Sequence, residues 1–330
     1  MLKVSIITPS FNQAKYLEDT ILSVRQQQYP ALEHIVIDGG SHDGSVDIIR
    51  KHEDKITFWI SGKDSGQSDA INKGLSKASG DIITWLNSDD LLMPDTVSRV
   101  VEIFQNNPKT HFVHGRAVLF GEGRKEKIIG DEKKELEHRY LAYIPFPQPS
   151  SFFRRKIIEE TGSLDANLHY GMDFDLLART ALLYNIQYTP LILSKYRLHA
   201  QAKTNDVLAF CKDWSLVFSK VLRSFDFSGQ LIHAYRALGL YVEGLDKYAV
   251  GKNFSVDDLK KSFLYHLLIL FHYHYNANSF DQVKRIGEMV REFDDKFFQE
   301  NQMGQIIKKA KYLNPFLINL IRKIKSGRFS

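Results

Sequence analysis

Cysteine is almost missing from this 330-residue chain: Cys211 is the only one, which excludes an internal disulfide framework and any cysteine-rich zinc site. Long apolar runs are missing as well. No stretch reaches the roughly 18 to 20 residues that span a bilayer. The nearest, 263–271, is short, carries His266 and reads as a buried helix. No apolar leader region follows Met1, so the expectation is a chain kept in a reducing cytoplasm. Acidic residues are absent from 301–330, which holds seven Lys or Arg, so the net charge of +5 belongs to the tail and the remainder is near −2. A nucleic-acid-binding protein more often carries its charge on the folded body, and no such partner is expected.

What is present is organised. In the first hundred residues, apolar runs at 4–8, 34–37, 57–60 and 82–86 read as strands. Amphipathic stretches at 16–27, 45–52, 68–79 and 94–104 read as helices. This alternation predicts an α/β fold with a parallel sheet and right-handed crossovers. Strands are also expected at 111–120, 150–154 and 188–193, helices at 156–162 and 174–184, and a charged, mobile loop at 122–137. From about Asn205 the pattern turns wholly helical, with breaks near Ser228, 251–255, 276–279 and Asn301. Two domains are therefore expected, 1–204 and a helical 205–330.

Polar clusters fall at the strand-to-helix junctions, which in an open parallel sheet lie on one edge and line one cleft. The most informative is GDIITWLNSDD, where an apolar run ends in Asn87, Ser88, Asp89 and Asp90. Adjacent carboxylates repel and lose solvation unless something positive sits between them, and a hard divalent cation carrying a phosphorylated ligand suits that place. A helix N-cap opening at Leu91 is the competing reading. The junction DGGSHDGS lets backbone approach a ligand, but it is neither a dinucleotide fingerprint nor a P-loop. An ordinary tight turn with Asp43 as N-cap fits it equally. In KDSGQSDAINKG, Asp69 and Asn72 lie one turn apart and share a helix face.

The segments VSIITPSFNQAKYLEDTILSV, IVIDGGSHDGSVDII and DSGQSDAINKGLSKASGDIITWLNSDD, with their spacing, resemble the family-two glycosyltransferases. The resemblance thins through 148–154, GMDFDL and YRLH and covers roughly residues 1 to 200. It implies a GT-A fold and a nucleotide-diphosphate sugar, a UDP-sugar for preference, bound across the strand ends. Pro9 and Asp38, with Asp69 and Asn72, match the base and ribose side, and Asn87 replaces the first Asp of the metal-binding motif. Mn²⁺ or Mg²⁺ is then assigned to Asp89, with Asp90 assisting and His199 as a third ligand, and Arg197 to the diphosphate. Asp173 matches the aspartate that acts as base in inverting transfer, beside Met172 where the family has Glu. Asp175 is the competing carboxylate, on another side of the helix, and Gln148 borders the acceptor. The family's processive synthases have transmembrane helices and a QxxRW motif; neither is here, so one sugar is expected to move per turnover, to a glycan or lipid-linked acceptor. The basic amphipathic segment 306–328 suits an anionic membrane surface, or equally a packed terminal helix. A sugar-phosphate nucleotidyltransferase and an inactive sugar-nucleotide-binding scaffold are the alternatives, the second because of Asn87 and Met172.

Overall fold

The structure, a computed structural model, describes residues 1–203 and 206–312. It divides into two compact units, one made of 1–140, 144–202 and 249–252, the other of 141–143, 203–248 and 253 onward.

The first unit is built on a nine-stranded sheet ordered β3-β2-β1-β4-β8-β6-β9-β5, with β7 on β6. Its strands are β1 (Val4–Ser10), β2 (Leu32–Asp38), β3 (Phe58–Ser61), β4 (Ile82–Trp85), β5 (Leu91–Leu92), β6 (Phe112–Phe120), β7 (Lys127–Ile129), β8 (Ser151–Arg154) and β9 (Ile186–Arg197). The β3-β2-β1-β4 half is parallel, and β8 joins it antiparallel to both β4 and β6. Its helices are α1 (Ala14–Arg25), α2 (Ser45–Lys51), α3 (Gln67–Lys77), α4 (Thr96–Asn106), α5 (Leu136–Tyr140), α6 (Lys156–Thr161) and α7 (Met172–Leu183). Continuous apolar strands are what a sheet covered on both faces requires. Leu17 and Ile21 of α1 pack with Val36 and Ile49, while Val97, Val100, Val101 and Phe104 of α4 pack with Val4, Ile6 and Ile82. Gly74 lets α3 approach Ile7, where a Cβ would collide with the Ile7 side chain.

The second unit is helical: α8 (Val207–Arg223), α9 (Gly229–Ala237), α10 (Val256–Asn276), α11 (Phe280–Phe293), α12 (Asp295–Glu300) and α13 (Met303–Tyr312). Its core contains Trp214, Phe218, Tyr235, Phe263, His266 and Phe271. Tyr235 Oη bonds His266 Nε2 at 2.8 Å, and His266 Nδ1 lies 2.6 Å from the Ala142 carbonyl. The apolar 263–271 run is the buried middle of α10, and no described helix is long and apolar enough to cross a membrane. Most of the basic segment, from 313 on, lies outside the described residues.

Three features depart from the sequence expectation. The last strand runs on to Arg197, because Lys195, Tyr196 and Arg197 pair with Val118, Leu119 and Phe120. The 122–137 stretch is not a plain loop: it holds β7, paired to β6, and the start of α5. Leu91 and Leu92 form β5 against β9, and α4 begins only at Thr96, so Asn87–Asp90 does not cap a helix.

Burial also sets a pH dependence. His34 of β2 is buried with its Nε2 2.9 Å from Thr8 Oγ1, and His114 of β6 with its Nε2 2.7 Å from Tyr140 Oη. Burial pushes these imidazoles down from 6.5 to about 4 and about 3. The unfolded chain takes protons that the folded chain refuses, so stability present above pH 6.5 is lost as pH falls, by about 1.4 kcal/mol per unit per histidine. Glu33 adds to this lower down. Burial pushes its carboxyl up, but bonds from Lys3, Ser5 and Ser79 outweigh that and hold it at about 2, so its contribution fades below its ordinary 4.5. Urea midpoints are expected to be lower at about pH 5 than at about pH 7.5, with a shallower dependence in His34→Gln. An unchanged midpoint would contradict the assignment.

Candidate active site

Parallel register brings Ser10, Asp38 and Ser61 side by side at the carboxyl ends of β1, β2 and β3. Asp38 is buried and saturated. Its Oδ2 accepts from the Gly40 and Ser41 N–H groups at 3.0 and 2.9 Å and from Ser61 Oγ at 2.6 Å; its Oδ1 accepts from Ser41 Oγ at 2.5 Å. This turns the glycine-rich junction into a fixed loop. Asn12 clasps that loop to the end of β1, its N–H donating to Ser41 Oγ and its Oδ1 accepting from His42 N–H. Asp43 does not cap α2 from the N-cap position, which is Gly44. It accepts from Ala14 N–H at 2.8 Å and Ser45 Oγ at 2.6 Å. Partial burial pushes its carboxyl up, yet these bonds leave it below its usual range. Pro9 sits buried within β1 opposite Ile37.

Beyond β4, Asp89 and Asp90 part company. Asp89 is partly exposed, and its Oδ2 lies 2.9 Å from His199 Nε2. Asp90 is fully buried: Oδ1 accepts from the Arg197 N–H at 2.9 Å, while Oδ2 has no hydrogen-bond partner among the described residues. Burial, and then the neighbouring Asp89, push its carboxyl well above the usual range; the Arg197 N–H and the Asn87 amide oppose this. Arg197 is locked, its Nε on the Asp89 carbonyl at 2.8 Å and its Nη2 on Asp19 Oδ2 at 3.0 Å, between the rings of Tyr16 and Phe120. Tyr16 also leans on His199, with ring centroids 4.8 Å apart.

The donor chemistry of this corner suits a divalent cation. Among the described residues no group of three His, Cys, Asp or Glu side chains converges into a cage. One or two carboxylates, with substrate phosphates completing the shell, are the usual provision for a hard cation that arrives with its ligand, and an imidazole is a further nitrogen ligand. Asp89 and His199 meet that description. Asp90 is fully buried, and its Oδ1 braces β9 through the Arg197 N–H.

The amide groups nearby form a chain. Gln67 Nε2 donates to Asn87 Oδ1 at 2.7 Å, Asn87 Nδ2 to Gln148 Oε1 at 3.4 Å, and Gln148 Nε2 to the Trp85 carbonyl at 3.1 Å. Next to Gln67, Ser68 Oγ donates to the Leu168 carbonyl at 2.8 Å. Asn72 grips Leu164 twice, Nδ2 to its carbonyl at 2.9 Å and Oδ1 from its N–H at 3.0 Å. The first turns of α3 thus fix both the Asn87 end of β4 and the segment leading to α7. Asp69, by contrast, accepts from Ser65 N–H at 3.0 Å and pairs with Lys73 at 3.0 Å, which hold its carboxyl below the usual range.

Asp173 lies in the first turn of α7, partly exposed, its Oδ1 accepting from the Phe174 N–H at 2.8 Å. Asp175 is buried and paired with Arg179 at 2.7 Å. That guanidinium also donates to the carbonyls of Thr161, Gly162 and Ser163. Of the two, Asp173 is the one with solvent access. The sequence marks the donor-rich stretch that holds Gln67 and Ser68 without their roles, and gives no sign of Tyr16, Asp19 and Phe120. None carries a local signal of its role, since each acts on a residue brought up by a distant strand or loop.

A sequence model of "Glycosyl transferase family 2" matches residues 5–162. A Mycobacterium tuberculosis H37Rv protein named an uncharacterized glycosyltransferase is 34% identical over 185 residues, 54% of this chain and 69% of that protein. The Bacillus subtilis putative teichuronic acid biosynthesis glycosyltransferase TuaG is 33% identical over 165 residues, 44% of this chain and 66% of TuaG. Among solved structures, S. aureus TarS 1-349 in complex with UDP-GlcNAc aligns with a TM-score of 0.56 at 13% identity, over 94% of this chain and 92% of that one. Mannosyltransferase PcManGT from Pyrobaculum calidifontis, in complex with GDP-Man and Mn²⁺, aligns with a TM-score of 0.56 at 17% identity, over 94% and 86%.

Proposed function

The chain belongs to glycosyl transferase family 2, with the GT-A fold, and from that premise we propose that it moves one sugar, with inversion, from a nucleotide-diphosphate sugar to a hydroxyl of a glycan or lipid-linked acceptor. The observation that carries this reading is the paired tether in α3. Adjacent residues Gln67 and Ser68 hold, respectively, the segment bearing Asp89 and the segment that delivers Asp173. Leaving-group chemistry and proton transfer need such fixed mutual placement, because misplacement of reacting groups is costly in rate.

In this reading the saturated Asp38 loop, with Pro9 and the clasping Asn12, forms the wall for base and ribose. A divalent cation, Mn²⁺ or Mg²⁺, supplies neutralising charge to the departing diphosphate when bound, held by Asp89 and His199. Asp173 accepts the proton of the acceptor hydroxyl as that oxygen bonds to the anomeric carbon and the bond to the diphosphate breaks. Gln148, its amide oriented by the Trp85 carbonyl, faces the acceptor side. Asn72, Asp90 and Asp175 serve by position: they hold Leu164, β9 and Arg179. The two-domain division at 204/205, a UDP-sugar as donor and peripheral attachment to an anionic membrane belong to the same proposal.

A thermal-shift comparison of UDP, GDP and their sugars, with and without Mn²⁺, tests it. A ligand that binds only the native state at about 100 times its Kd adds about 2.7 kcal/mol of stability. A rise in Tm that requires both nucleotide and Mn²⁺ is expected. Indifference to every nucleotide would overturn the reading.

A further inference from the structure

Beside Asp89 and His199 lies a recess of about 260 Å³ whose lining includes Tyr16, Phe120, Glu122, Arg197 and His199. The side chains that line it and the lysine at its edge, paired to Glu122, differ in freedom. Arg197 is fixed by Asp19, the Asp89 carbonyl and two aromatic rings, and His199 is held by Asp89. Lys15, at the start of α1, has one ion pair among the described residues, with Glu122 at 2.6 Å; both side chains are largely exposed, and the ammonium otherwise only grazes the Tyr16 ring, 5.3 Å from its centroid. An exposed pair of this kind is weak and exchangeable.

Glu122 is presented to the recess by a pinned backbone. Leu198 N–H bonds the Phe120 carbonyl at 2.8 Å, and Gly121 lies so close to the Leu198 carbonyl that a Cβ would collide with it. Gly123, with φ of 66°, turns the chain away on the other side. The carboxylate therefore sits beside Lys15 and near Arg197, which hold it below its usual range, a place that favours an anion. The leaving group of the proposed reaction is a larger anion that must be received at this same end of the cleft.

We propose that Lys15 is the mobile cation for the donor's diphosphate and that Glu122 is its internal placeholder, displaced when the donor binds. The inference rests on the glycosyl-transfer reading above and adds to it a residue pair that sets donor affinity. Glu122 holds Lys15 ordered beside the recess before the donor binds, weakens donor binding by competition, and takes Lys15 back as the nucleoside diphosphate leaves.

Calorimetric titration of UDP and GDP, each with Mn²⁺, on wild type, Glu122→Gln, Lys15→Met and the double variant tests this. Glu122→Gln is expected to tighten diphosphate binding by about threefold. Lys15→Met should weaken it by about tenfold. The double variant should bind like Lys15→Met, because no cation is left to release. Uridine and guanosine, which lack phosphate, should bind all four proteins alike. Glu122→Gln that binds no tighter than wild type, or that tightens binding equally in the Lys15→Met background, overturns the inference alone. Wild type that binds neither UDP nor GDP overturns the glycosyl-transfer reading and the inference with it.

Discussion

Asp89→Ala is expected to lower the rate of sugar transfer by about 10³-fold and to abolish its response to Mn²⁺. The size follows from the charge at stake: a cation facing a departing diphosphate is worth several kcal/mol, and each 1.36 kcal/mol is tenfold. The fold should survive. The Asp89 side chain is partly exposed, and its backbone carbonyl, which the alanine keeps, is what Arg197 Nε binds. Asp90→Asn is the contrasting change. It preserves an acceptor for the Arg197 N–H and is expected to retain metal affinity, because that carboxylate is fully buried and already engaged by β9. Transfer rates measured across a Mn²⁺ titration separate the two. Asp89→Ala with full metal-dependent activity would remove Asp89 from the site.

Asp173→Asn should reduce kcat by about 10²–10⁴-fold, the usual contribution of a positioned general base, while leaving the Kd of the donor near its wild-type value. Asparagine cannot take the acceptor's proton but can still accept the Phe174 N–H bond, so α7 keeps its first turn. The same substitution at Asp175 is expected to act on stability instead, since it strips the charge partner from a buried Arg179. Kinetics alongside urea denaturation distinguish the roles. Loss of donor affinity in Asp173→Asn would mean that this carboxylate holds the donor rather than the proton.

In the parallel half of the sheet β1, β2 and β4 were legible because they are almost wholly buried and read as largely apolar runs. The end of β9 was not. Ser194 is buried, but Lys195, Tyr196 and Arg197 are only partly so, and their pairing with β6 and β5 leaves no apolar rhythm. That extension delivers Arg197 and His199 to Asp89, across 110 residues of sequence for the His199 contact. The candidate polar side chains were visible as residue types at strand and helix ends. Their division of labour was not. Asp38, Asn72, Asp90 and Asp175 are each engaged by backbone groups or by a buried cation, and such partners leave no trace in local sequence. Asn87 looked like a damaged metal motif. In the fold its amide accepts from Gln67 and donates to Gln148, which a carboxylate could not do without turning Gln148 away from the Trp85 carbonyl.

The grip of α3 on the segment before α7 has an evolutionary consequence. Ser68 and Asn72 hold Leu168 and Leu164 by main-chain atoms alone. Side chains between those two points can therefore drift without loosening the hold, whereas inserting or deleting a single residue there would shift Asp173 out of line. A change of length is better borne by the exposed stretch around β7.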